Sequence, residues 1–157
     1  MESDKKILMV CLGNICRSPL AQGVMEQKVQ LHGLHNWTID SAGTGNWHVG
    51  NPPDPRSINT ARKHGLDISK QRARQFSIHD FENFDVIIAM DQKNKQDLLR
   101  MATNHHHKSK VLSLMEIAYN KAEDVPDPYF EGNFEEVYTI LDGSVEKAID
   151  FLKNYKV

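Results

Sequence analysis

Cysteine is nearly absent from this chain of 157 residues: the only two, Cys11 and Cys16, stand so close together that no disulfide framework of the secreted kind can be built from them. Also missing is any apolar run near the roughly 18 residues a membrane-crossing helix needs. The amino terminus, Met1 to Lys6, lacks the long apolar core of a secretory signal. A reduced, cytoplasmic setting without membrane contact is therefore expected. Neither sign of charge dominates: a formal net charge of −2 excludes the basic balance of a general nucleic-acid binder, yet leaves room for one local cationic site. There is no internal repeat, low-complexity tract or dividing linker. With 39% hydrophobic and 25% charged residues, the expectation is one globular domain, residues 1–157, large enough for a core.

The patterning that is present gives an α/β order. Ile7 to Val10 form a short unbroken apolar run, as a strand buried on both faces would. A helix follows from about Ser18 to His32, with Leu20, Ala21, Val24 and Leu31 on one face, ending near Gly33. Trp37 to Ile39 suggest a second strand, and strand, helix, strand in that order implies a right-handed crossover between parallel strands. Ser41 to Pro55 is a long glycine- and proline-rich loop, of a length that usually carries function. A helix from about Asp54 to His64, a buried strand from Phe84 to Ala89, and a helix capped by Asp91 and running to Ala102 come next. Lys110 to Leu112 form a short fourth strand, Lys121 to Asn133 a second long loop. The final helix carries Phe134, Val137, Tyr138, Leu141, Val145, Ala148, Ile149 and Leu152 on one face, a core stripe. The fold expected is a three-layer sandwich, a parallel sheet of about four strands with helices on both faces.

The stretch Val10 to Pro19 links the first strand to the first helix, which in an open parallel sheet is where ligands bind. Free N–H groups and the dipole at a helix amino end favour an anion. Gly13 and Asn14 tolerate the left-handed angles that turn successive N–H groups of residues 12 to 17 inward, through Leu12, Ile15 and Cys16 to Arg17. Arg17 supplies a planar fork matched to two phosphate oxygens. Pro19 fits a first helical turn, with Ser18 placed to cap it. A cysteine in such a cradle ionises readily, which makes Cys11 a nucleophile; alone it would equally well be a small apolar strand-end residue. Ser18 can add a hydroxyl hydrogen bond to the sulfur, and Asn14 can hold the loop through its amide.

Cys11 to Ser18, with five residues between Cys11 and Arg17, resembles the signature of the low-molecular-weight protein tyrosine phosphatases. Asp40 to Thr44, Gly50 to Asp54, Arg72 to Gln75 and Asp127 to Tyr129 are similar to that family's other motifs, in the same order, so the likeness spans nearly the whole chain. It implies the same three-layer fold and a metal-independent, cofactor-free hydrolysis of a phosphotyrosine protein or small aryl phosphate through a phosphocysteine. It also implies inhibition by phosphate-like anions and action as a monomer. A phenolate leaves badly unless it receives a proton. Asp127, between Pro126 and Pro128, is by itself an ordinary turn aspartate; the resemblance makes it the general acid, with Asp124 a nearby decoy. Asn14, Ser18 and Ser41 become supports of the loop, and Leu12, Trp47 and Tyr129 walls of a pocket for a flat ring. Trp47 is equally suited to anchor its loop.

The same resemblance gives Cys16 a redox role, a disulfide with Cys11 that shields the nucleophile, beside the plainer role of packing under the loop. Two departures stand out: Gln71 occupies the place of a histidine that in many members supports Asn14 and Ser41, and Phe130 follows Tyr129 where a second tyrosine is common. Asp54 and Asp91 match family positions, but helix capping accounts for each. His105, His106 and His107 are consecutive and cannot easily face one ion, so they are expected in a solvated loop, while His48 lies within reach of a substrate. A thioredoxin-coupled arsenate reductase would need a resolving cysteine downstream, and none follows Cys16. A non-catalytic phosphate-binding module would lack the arginine, the acid or both.

Overall fold

Residues 4–156 are described by a computed structural model. Met1 to Ser3, part of the stretch weighed for a secretory signal, and Val157 lie outside the described residues. Four parallel strands, β1 (Lys5–Cys11), β2 (Trp37–Gly43), β3 (Val86–Ala89) and β4 (Val111–Ser113), make one sheet in the order β2-β1-β3-β4. With β1 central, side-chain alternation serves two cores. Ile7, Met9, Val86 and Ile88 face α1 (Arg17–Leu31), α2 (Pro55–Lys63), α6 (Leu114–Tyr119) and α8 (Phe134–Lys153). Leu8, Val10, Ile87 and Ala89 face Phe76, Phe81 of α3 (Asp80–Asn83) and Leu98 of α4 (Gln92–Met101). Helices on both faces explain why these strands carry unbroken apolar runs. Among the described residues no helix is long and apolar enough to cross a membrane.

Local chemistry sets the helix ends. After α1, Gly33 takes φ 74°, donating to Gln30 O while Leu34 N donates to Val29 O; Gly65, at φ 82°, closes α2 with the same pair of bonds. Asp91 caps α4 by accepting from Asn94 N at 2.7 Å. All eight residues of the stripe expected on α8 are buried.

Several expectations need correction. Ser41 to Gly43 belong to β2, not to a loop, because Ser41 and Ala42 are small enough to pair with Met9 and Val10 beneath the neighbouring turn. Leu31 shares the azimuth of Val24 but is 79% exposed, while Val29 is the residue of that last turn which is buried. Ser18 is not the cap of α1: the helix opens at Arg17 and the Ser18 hydroxyl turns inward. The three histidines begin a short helix, α5 (His105–Lys110), capped by Asn104. His107 there is buried, stacked on Phe81 at 4.6 Å and bonded to Thr103 and Glu82, not solvated. The loop read over Lys121 to Asn133 contains the four-residue helix α7 (Pro128–Glu131), with Asp127 as its cap. Helices of four to six residues leave no sequence period to detect.

Candidate active site

The loop from Cys11 to Arg17 joins the carboxyl end of β1 to the amino end of α1. Its turn depends on Asn14, which takes φ 57° and whose N–H points at Cys11 Sγ, 3.3 Å away. Gly13 is not left-handed, contrary to expectation; a Cβ there would instead meet His48 Cδ2 at 3.1 Å. Gly43 is needed for close approach, since a Cβ on it would lie 2.8 Å from Leu12 O and 3.1 Å from Asn14 N.

Beneath the loop runs a buried chain of hydrogen bonds with one direction. Gln22 Nε2 donates to Ile39 O at 3.4 Å and its Oε1 accepts from Ser41 Oγ at 2.7 Å. The Ser41 hydroxyl proton is thereby committed, so Ser41 Oγ accepts from Asn14 Nδ2 at 2.9 Å. The second Asn14 amide proton goes to Ser18 Oγ at 2.8 Å, and Asn14 Oδ1 accepts from Arg74 N at 3.0 Å. Ser18 Oγ also lies 3.0 Å from Cys11 Sγ and 3.5 Å from Ala42 O; to a thiolate at Cys11 the hydroxyl is the only one of the pair that can donate. Gln71 takes no part in this chain: its amide donates to Pro19 O at 3.1 Å. Gln22 was invisible in the sequence as a site residue, because a helical glutamine gives no motif.

Arg17 is 3% exposed, and Nη1 donates to Asp91 Oδ2 at 2.7 Å and Val125 O at 3.0 Å, while Nη2 lies 3.6 Å from Asp127 Oδ2. Burial opposes its charge, but Cys11, Asp91 and Asp127 outweigh that and raise its pKa. Asp91 is thus more than a cap. Its sequence signal was a carboxylate just past β3, at the same sheet edge as the loop. Asp127 Oδ1 accepts from Tyr129 N at 3.1 Å, leaving a side chain 41% exposed toward the cavity. Asp124 points elsewhere, accepting from Gln92 N at 2.9 Å. Burial, then the Asp54 carboxylate, Cys11 and Asp127, push the Cys16 thiol far up, so it stays protonated at neutral pH.

Above Cys11, Gly13, Ile15, Cys16 and Arg17 opens a cavity of about 230 Å³. Leu12, Trp47, His48, Asp127, Tyr129 and Phe130 complete its lining. Every pocket residue expected from the sequence lines it, whereas Ser41, Asn14 and Ser18 support it from below. A thiol in the floor, a fixed guanidinium, apolar walls and a carboxyl form a site suited to breaking an aryl phosphate ester.

The family model described as "Low molecular weight phosphotyrosine protein phosphatase" matches residues 6–156. The low molecular weight protein-tyrosine-phosphatase YfkJ of Bacillus subtilis (strain 168) is 40% identical over 153 residues, covering 96% of this chain and 97% of its own. PtpA of Staphylococcus aureus (strain Newman), which bears the same description, is 36% identical over 146 residues, 93% of this chain and 92% of its own. A crystal structure of protein tyrosine phosphatase from Entamoeba histolytica, with Hepes in the active site, superposes with a TM-score of 0.89 at 37% identity, covering 96% of this chain and 97% of that one.

Proposed function

The chain belongs to the low molecular weight phosphotyrosine protein phosphatase family and is an enzyme of that kind, and from this premise we propose how its residues divide the work. Cys11 attacks the phosphorus of phosphotyrosine as a thiolate; the S–P bond forms, the bond to the phenolic oxygen breaks, and Asp127 gives that oxygen its proton. Asp127, now a carboxylate, takes a proton from water as the water attacks phosphorus. The S–P bond then breaks, inorganic phosphate leaves and the Cys11 thiolate returns. Arg17 and the inward N–H groups of residues 12 to 17 hold the three equatorial oxygens through both steps. Ser18 and Asn14 stabilise the sulfur, and Ser41 keeps Asn14 in place. Leu12, Trp47 and Tyr129 receive the phenyl ring. Cys16 is the partner for Cys11 under peroxide: Cys11 is oxidised to the sulfenic acid, which condenses with the Cys16 thiol and releases water.

The observation that carries this reading is the convergence on one cavity of Cys11 Sγ, bonded by Ser18 and Asn14, with Arg17 and Asp127. The substrate is a phosphotyrosine protein or a small aryl phosphate, and phosphate-like anions such as vanadate compete for the loop. A monomer of one domain working in the reducing cytoplasm suits two free thiols and a family match that spans residues 6–156. The direct test is Cys11→Ser. Turnover of a chromogenic aryl phosphate in the presence of chelator should vanish while vanadate still binds; substantial turnover by that variant would end the reading.

A further inference from the structure

The mouth of the site is fastened by a residue outside both the phosphate loop and the acid turn. Asp54, the buried cap of α2, accepts from Arg56 N at 2.8 Å and takes the Arg56 side chain as a fork, Nε at 3.0 Å and Nη2 at 2.9 Å. Pro55, between them, fixes the backbone. From this anchored position Arg56 Nη2 reaches Tyr129 O at 3.0 Å. Its guanidinium carbon lies 4.7 Å from the ring centre of Phe134 and 5.6 Å from that of Tyr129. Those two rings bracket the turn that follows Asp127, so one planar cation grips both ends of the segment.

The same end of α2 is tied to the phosphate loop. Asp54 N donates to Ile15 O at 2.8 Å and Ser57 Oγ to Cys16 O at 3.1 Å. The helix end therefore holds the floor of the site with the Asp54 N–H and the Ser57 hydroxyl, and the acid turn with Arg56. A four-residue helix such as α7 has too few internal bonds to hold its own orientation; Arg17 and Met90 fasten Val125 on the side before Asp127, and Arg56 fastens Tyr129 on the side after it. The shape of the guanidinium matters: it donates to Asp54 and to Tyr129 O in its plane while presenting faces to two rings. A lysine ammonium cannot do both.

We propose that Arg56 is a positioning residue of the phosphatase reaction, locked by Asp54 to the phosphate loop and fixing α7 so that the Asp127 carboxyl stands over Cys11. The inference rests on the role given to Asp127 above. It is tested by kcat/KM, which covers the steps through phosphocysteine formation, for Arg56→Lys, Arg56→Met and Asp127→Ala on aryl phosphates of graded leaving-group acidity. Both Arg56 variants should lose about ten-fold more on phenyl phosphate than on the 2,4-dinitrophenyl ester. Vanadate inhibition should hold within about two-fold, and Arg56→Met added to Asp127→Ala should steepen nothing further. Arg56→Lys keeps a cation beside the buried Asp54, so it carries the test if Arg56→Met fails to fold. A loss equal across all leaving groups, or one matched by weaker vanadate binding, would show only general support of the fold and overturn the proposal. A steep dependence in Asp127→Ala with a flat one in the Arg56 variants overturns the role of Arg56 alone. A flat dependence in Asp127→Ala overturns the assignment of the acid, and this proposal with it.

Discussion

Asp91 shows how one carboxylate serves two purposes at atomic scale. Oδ1 accepts from Asn94 N and caps α4, while Oδ2 holds the buried guanidinium of Arg17 at 2.7 Å. Removing a hydrogen bond to a charged group costs about 1.5–3 kcal/mol, so Asp91→Ala should weaken vanadate inhibition and lower kcat/KM by about ten- to hundred-fold. Asp91→Asn should keep the cap of α4 but not the affinity. Vanadate binding unchanged in Asp91→Ala would refute the anchoring role. Capping was legible because it is local in sequence; the pair with Arg17 spans 74 positions and is not. Gln22 belongs to the same class: a side chain whose part in the site exists only because α1 passes beside β2, where Ser41 meets it.

At the scale of elements, α2 is set at its amino end. Arg56 hydrogen-bonds the Asp54 carboxyl and holds it below the usual carboxylate range, against burial, with its backbone N–H adding to the effect. A carboxyl depressed in the folded state contributes stability that is complete above its unfolded pKa of about 3.9 and is lost as the pH falls through the depressed folded value. The melting temperature of the wild type should therefore exceed that of Asp54→Asn near neutral pH, and the gap should close below about pH 4. Melts of both proteins across that range measure it, and a gap independent of pH would remove Asp54 from the account. The long elements were legible at this scale, α8 above all, because a buried stripe repeats over several turns. The short helices α5, α6 and α7 were not. They exist where neighbouring packing and a cap such as Asn104 or Asp127 stabilise a single turn.

For the molecule as a whole, two cores on opposite faces of one four-stranded sheet keep the phosphate loop at a fixed edge. Phe81, fully buried between Phe76 and His107, belongs to the core on the face away from α1 and α8. Phe81→Ala should cost about 3–5 kcal/mol and lower the melting temperature by roughly 10 °C, with kcat at 25 °C preserved in the folded fraction. Activity falling out of proportion to the folded fraction would mean that the far core also shapes the site. The sequence by itself determined the α/β order, the strand-loop-helix that bears Cys11 and Arg17, and the apolar faces, because each is written in neighbouring residues and short periods. Only the tertiary structure decided that Asp91 anchors Arg17, that Gln22 and not Gln71 ends the chain of hydrogen bonds under the loop, and that Arg56 reaches the acid turn. Those contacts join residues far apart in the chain, and their geometry is set by how helices and strands pack, which no local pattern encodes.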